Sequence, residues 1–151
     1  MITLTTHQDF TKEINMFKIT LTNSFLYLII KYIIFFSVLA FIGDRFKNIV
    51  LNNAETSTEM FKLTLNYILY VLIYMIPLIL VFIFPLYFTL KIKKGIFFLL
   101  SIVLLFIAEY CFYTYLYASS NKILGIYNII ISVILLGIFF YKSIRLKFTR
   151  V

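Results

Sequence analysis

Glu109 is a carboxylate set in a stretch that offers it no water. It lies within LLFIAEYCFY, residues 104–113, where nearly every neighbour is apolar. An ionisable group in such a segment is costly and faces a bundle interior or a water-filled space. Asn128 stands on the apolar segment that follows, Ser132 continues its helical face by one turn, and Gly125 precedes it by three residues. On the segment before, Tyr67, Tyr70 and Tyr74 recur at spacings of three and four, which is one face of a helix. Lys31 is the other charged residue inside an apolar block.

Two kinds of chemistry fit this set. A carboxyl, an amide and phenol hydroxyls brought together can bind a proton or a cation, or line a polar pocket. Copies of Glu109 around an oligomer axis would likewise favour cations. The same groups can instead act as glue between helices, with a neutral glutamic acid hydrogen-bonded beside Tyr74 and Asn128. Desolvation favours the neutral form. Lys31 stands about seven residues into its block, roughly 10 Å deep, so its stem is expected to snorkel back to the interface. A direct Lys31–Glu109 pair is not expected, because their depths differ by about 10 Å.

Catalysis is not expected. His7 is the one histidine and Cys111 the one cysteine, and they fall at opposite ends of the membrane. One cysteine forms neither a disulfide nor a thiolate–metal cluster within a chain. Glu109 has no second acid beside it for acid–base work. No Gly-rich phosphate loop, H-E-x-x-H or G-x-S-x-G occurs. The reading is therefore of a non-enzyme with no catalytic residue, no metal site and no cofactor.

The elements that must hold these residues follow from hydropathy. The chain has 151 residues, 63% hydrophobic and 13% charged, with a mean hydropathy of +1.02. A soluble domain of that size could not cover itself with so little polar surface. The apolar residues run in blocks at 24–43, 63–90, 96–118 and 123–141, each close to or above the ~20 residues that cross a ~30 Å hydrocarbon core. No alternating pattern of a barrel recurs, and backbone groups in lipid need internal partners, so the blocks are helices. The expected fold is an all-α integral membrane protein, one antiparallel four-helix bundle over residues 1–151. Ahead of it, THQDFTKEINMFKITL sets Phe10, Ile14, Phe17 and Leu21 on one face, an amphipathic cytoplasmic segment over 1–22 that lies in the interface or docks a partner. Thr56 and Glu59 form a T-x-x-E capping box, which starts the second helix near Ser57. That helix is too long to stand upright in the core, and Pro77 and Pro85 allow it to kink.

Charge orients the bundle. With the N-terminus inside, one side holds Lys12, Lys18, Lys91, Lys93, Lys94, Lys142, Arg145, Lys147 and Arg150, against Arg45, Lys47, Lys62 and Lys122 on the other. The positive-inside rule then places both termini in the cytoplasm. The net charge of +8 is read as a basic face for anionic lipid headgroups or a protein partner, formed by Lys91, Lys93, Lys94, Lys142, Arg145, Lys147 and Arg150. It is not read as a nucleic-acid surface. Eighteen Phe and twelve Tyr with no Trp suit lipid packing and an AT-rich bacterial gene, so a bacterial inner membrane is the expected location.

The four spans, the short basic loop KIKKG and the basic tail KSIRLKFTR, together with the lack of catalytic residues, resemble the membrane subunit of Kiwa-type anti-phage defence systems. The resemblance is one of architecture over the whole chain. It implies a homo-oligomeric inner-membrane sensor or scaffold that recruits a soluble cytosolic effector, and it assigns no residue a role. Two other functions stay open: a small ion channel or transporter using Glu109, and an immunity protein against a membrane-active toxin. A neighbouring gene for a DNA-binding effector or for a pore-forming toxin separates the first from the last.

Overall fold

The computed structural model describes residues 18–42, 44–116 and 122–149. The amphipathic segment expected over residues 1–22 lies outside them up to residue 17, as does Arg150. Among the described residues the chain is helical with no strand. Helix α1 spans Leu21–Ile42, α2 Ser57–Lys91, α3 Gly95–Leu116 and α4 Ile123–Thr149. All four are long and apolar enough to cross a membrane, which makes this a multi-pass membrane protein.

Local chemistry sets the helix ends. The Thr20 hydroxyl accepts the Asn23 amide at 3.1 Å, so α1 starts three residues before the apolar block that begins at Ser24. The Thr56 hydroxyl accepts the Glu59 amide at 3.2 Å and caps α2. The Glu59 carboxylate reaches back to the Glu55 amide at 3.1 Å, one residue before the cap. At 35 residues α2 is the longest element, and it runs through both Pro77 and Pro85. Helix α4 continues to Thr149, eight residues past the end of its apolar block, with a non-helical backbone at Phe140 (φ −115°, ψ 15°). Helix formation needs no apolar residue, and Lys, Arg and Leu are good helix formers. Between α1 and α2, Asp44 takes a positive φ of 51°, and a π-helical turn follows at Lys47–Leu51.

The helices form a ring. Helix α1 packs on α2 and α4, and α3 packs on the same two, so α1 and α3 are diagonal partners. One main cluster fills the centre, with Tyr27, Tyr32 and Phe35 of α1, Leu78 and Leu86 of α2, Tyr113 of α3 and Phe140 of α4 nearly inaccessible. A smaller cluster of Ala40, Val50 and Tyr67 pins the π turn against α1 and α2. Lipid-facing positions are apolar and exposed, among them Ile73, Leu80, Phe88 and Leu100.

The α3–α4 contact is tight at one glycine. A β-carbon on Gly125 would lie 2.5 Å from the Thr114 hydroxyl and 2.7 Å from the Tyr110 ring, whereas one on Gly137 would meet nothing within 4 Å. Gly125→Ala should therefore lower unfolding stability in detergent by about 1–3 kcal/mol through overpacking. Gly137→Ala should raise it by up to about 1 kcal/mol from helix propensity alone. Equal effects of the two substitutions in a chemical unfolding titration would disprove the close approach.

Candidate functional site

The site is built on the face of α1 that carries Ser24, Tyr27, Lys31 and Phe35, at spacings of three, four and four. All four are buried, with Lys31 at 1% exposure. Lys31 does not snorkel. Its ammonium bonds Oε1 of Glu109, which is 3% exposed, across the bundle diagonal. The two residues come closer in depth than expected because α1 begins at Leu21. Lys31 is then ten residues in, at about 15 Å, and Glu109, fourteen residues from Gly95, is at about 21 Å. A lysine stem spans the difference.

The same carboxylate oxygen accepts a second hydrogen bond, from the Tyr32 hydroxyl at 2.6 Å. Lys31 also lies over the Tyr32 ring, 4.6 Å from its centroid. Glu109 is thus held by Lys31 and Tyr32 together and does not stand alone in the bundle. One turn further along both helices, Phe35 meets Tyr113 edge to face at 4.9 Å. One turn the other way, the Tyr27 hydroxyl donates to the Ser132 carbonyl at 2.9 Å, and the Ser132 hydroxyl donates to the Asn128 carbonyl at 2.6 Å. The diagonal is therefore filled by stacked layers, polar, ionic and aromatic in turn.

The other expected members are placed differently. Asn128 is fully buried on α4, but its side-chain oxygen and nitrogen have no partner among the described residues, so it does not hold Glu109. The Thr114 hydroxyl, against Gly125, is likewise buried without a partner. Tyr70 is 48% exposed and meets Tyr74 in a tilted ring pair with centroids 4.4 Å apart. It faces Arg45 and Asn48 at the α1–α2 end of the bundle and not the ion pair. Sequence reading missed Tyr27 and Tyr32. The signal was available in the stripe through Lys31, once that residue is placed in the interior.

At the opposite end the basic residues divide. Lys91, Lys93, Lys94, Lys142 and Arg145 are exposed. Lys147 is turned inward: its ammonium donates to the Leu90 carbonyl at 2.7 Å and to the Ile92 carbonyl, and stands 4.8 Å from the Phe98 ring centroid. These are the carbonyls left without helical partners where α2 ends. Lys147 therefore leaves the expected basic face and fastens it, while Arg150 lies outside the described residues.

Among the described residues no group of three or more His, Cys, Asp or Glu comes together. The chain matches no protein-family model, no characterised protein and no solved structure.

An ammonium on a carboxylate leaves the interior without net charge, and removing one partner strands the other. Lys31→Met and Glu109→Gln should each destabilise the bundle by about 3–5 kcal/mol. The double replacement Lys31→Met with Glu109→Met should recover most of that loss. A double-mutant cycle from unfolding in mixed micelles measures the coupling, and additive single effects would show that the two residues do not interact.

Proposed function

We propose that this protein is a non-enzymatic scaffold of a bacterial inner membrane, a homo-oligomer whose basic end lies in the cytoplasm and recruits an acidic soluble protein. The observation that carries the reading is the attachment made by Lys147. Its bonds to Leu90 and Ile92 join the tail of α4 to the end of α2. The loop lysines Lys91, Lys93 and Lys94 and the tail residues Lys142 and Arg145 therefore sit on one ordered surface and not on two loose segments. Close approach supports this on the same face, since a β-carbon at Gly95 would meet the Phe148 ring at 2.9 Å. A fixed set of cations matches a partner of opposite charge better than a disordered tail does, because less entropy is lost on binding.

The positive-inside rule supports the cytoplasmic placement of this surface. The architectural resemblance to the membrane subunit of Kiwa-type defence systems points to the same kind of role, with an antiviral effector as the recruited protein. Ion conduction through Glu109 has less support, since Lys31 already occupies the carboxylate that a cation would need.

Tagged protein purified in mild detergent from its native cells should retain one soluble protein at a fixed ratio, identified by mass spectrometry. Lys93→Glu, Lys94→Glu and Arg145→Glu together should release it, shifting retention by tenfold or more if the triple reversal costs at least about 1.4 kcal/mol. Lys62→Glu, at the other end, should not. Retention that is indifferent to the triple reversal would refute the basic surface as the docking site.

A further inference from the structure

The α1–α2 end of the bundle is open where the α4 end is fastened. A hollow of about 270 Å³ runs between α1 and α2, with Ile33, Phe41, Ile68 and Leu72 exposed along it. Its one polar wall residue on α1, Ser37, spends its hydroxyl on the Ile33 carbonyl at 2.7 Å. A second hollow of about 220 Å³ continues from it, sharing Phe36, Tyr67 and Val71. The character changes there. Arg45, Asn48 and Tyr70 line the second hollow, at the level of the α1–α2 connection.

We propose that this continuous groove holds an anionic phospholipid, with an acyl chain between α1 and α2 and the headgroup phosphate on Arg45. Three observations converge on that occupant. The apolar part is open sideways to the hydrocarbon and runs about 12 Å from Ile33 to Phe41, close to one leaflet's share of a ~30 Å core. The polar part stands at the end of that run, where a headgroup lies. Arg45 is half-buried and has no ion pair or hydrogen bond among the described residues, and its neighbour Asp44 does not bridge it. A guanidinium binds a phosphate through two parallel hydrogen bonds. The Asn48 side chain, whose oxygen accepts from the Asn52 amide, adds its NH2 as a donor at the rim. A free phosphate would leave the apolar hollow unfilled. A zwitterionic headgroup would bring its own cation against Arg45.

The test uses the full chain in mild detergent and native mass spectrometry, with phosphatidylglycerol and phosphatidylcholine of the same acyl chains as probes. Phosphatidylglycerol should be retained about fivefold over phosphatidylcholine, the preference one basic group confers near a membrane surface. Arg45→Gln should abolish the preference and keep residual binding of both lipids. Ser37→Phe, which puts a ring into the apolar hollow, should lower retention of both. Lys62→Gln removes a cation at the same end without touching the groove, and should leave the preference intact. Equal retention of the two lipids by the unmodified protein would overturn the proposal, as would a preference that survives Arg45→Gln or falls equally with Lys62→Gln. Unchanged binding in Ser37→Phe would remove the acyl chain from the groove.

Discussion

The architecture depends on one electrostatic constraint: a lysine and a glutamate that belong to diagonal helices must meet at the middle of an apolar bundle. Neither charge is tolerable alone at that depth. Lys31 and Glu109 lie on α1 and α3, which touch through α2 and α4 rather than along their own backbones. Only long side chains can close that distance, and a lysine with a glutamate supplies them. Once the pair forms, the rotation of both helices about their axes is set, because turning either one would pull its charge away. Apolar packing between helices in lipid gives no comparable specificity, since lipid tails are as apolar as leucine. Tyr32 on the same carboxylate oxygen and Tyr27 on the Ser132 carbonyl then settle α1 against α3 and α4 in turn.

The two ends of the bundle are treated differently. At the basic end, Lys147 satisfies the terminal carbonyls of α2 and brings the loop and the tail together. At the other end a π-helical turn and the small cluster around Val50 and Tyr67 hold the connection, and the groove between α1 and α2 stays open. The central ion pair lies between the two ends and joins α1 to α3.

Asn128 and Thr114 show the limit of this economy. Both are buried, and neither side chain finds a partner among the described residues. Gly125 brings the helices close enough for the Thr114 hydroxyl to fill the space a side chain would take. Polar groups on a small-residue face usually serve to bond helices across lipid-exposed contacts. Here the close approach is made without bonds from the Asn128 and Thr114 side chains among the described residues.

Residue order by itself determined the class of the protein, the number of spans and several of their ends. Long apolar blocks in a chain this poor in charge leave no other arrangement, because hydrocarbon forces backbone groups to bond within each helix. The Thr56–Glu59 box was legible because a helix start is local chemistry, carried by side chains three residues apart. The same locality made Glu109, Asn128 and Lys31 stand out as polar residues among apolar ones. Which of them meet was decided only by the tertiary structure. A shift of three residues in the start of α1 changes the depth of Lys31 by about 4.5 Å, enough to exchange snorkelling for an ion pair. The Tyr67–Tyr74 stripe shares a face with itself on any helix, but the ring order of the four helices turns Tyr70 toward Arg45 and gives Glu109 to Tyr32. Lys147 reads as one more surface cation until the end of α2 is placed beside it. Pairing across helices depends on depth and rotation together, and neither is written in the spacing of a single segment.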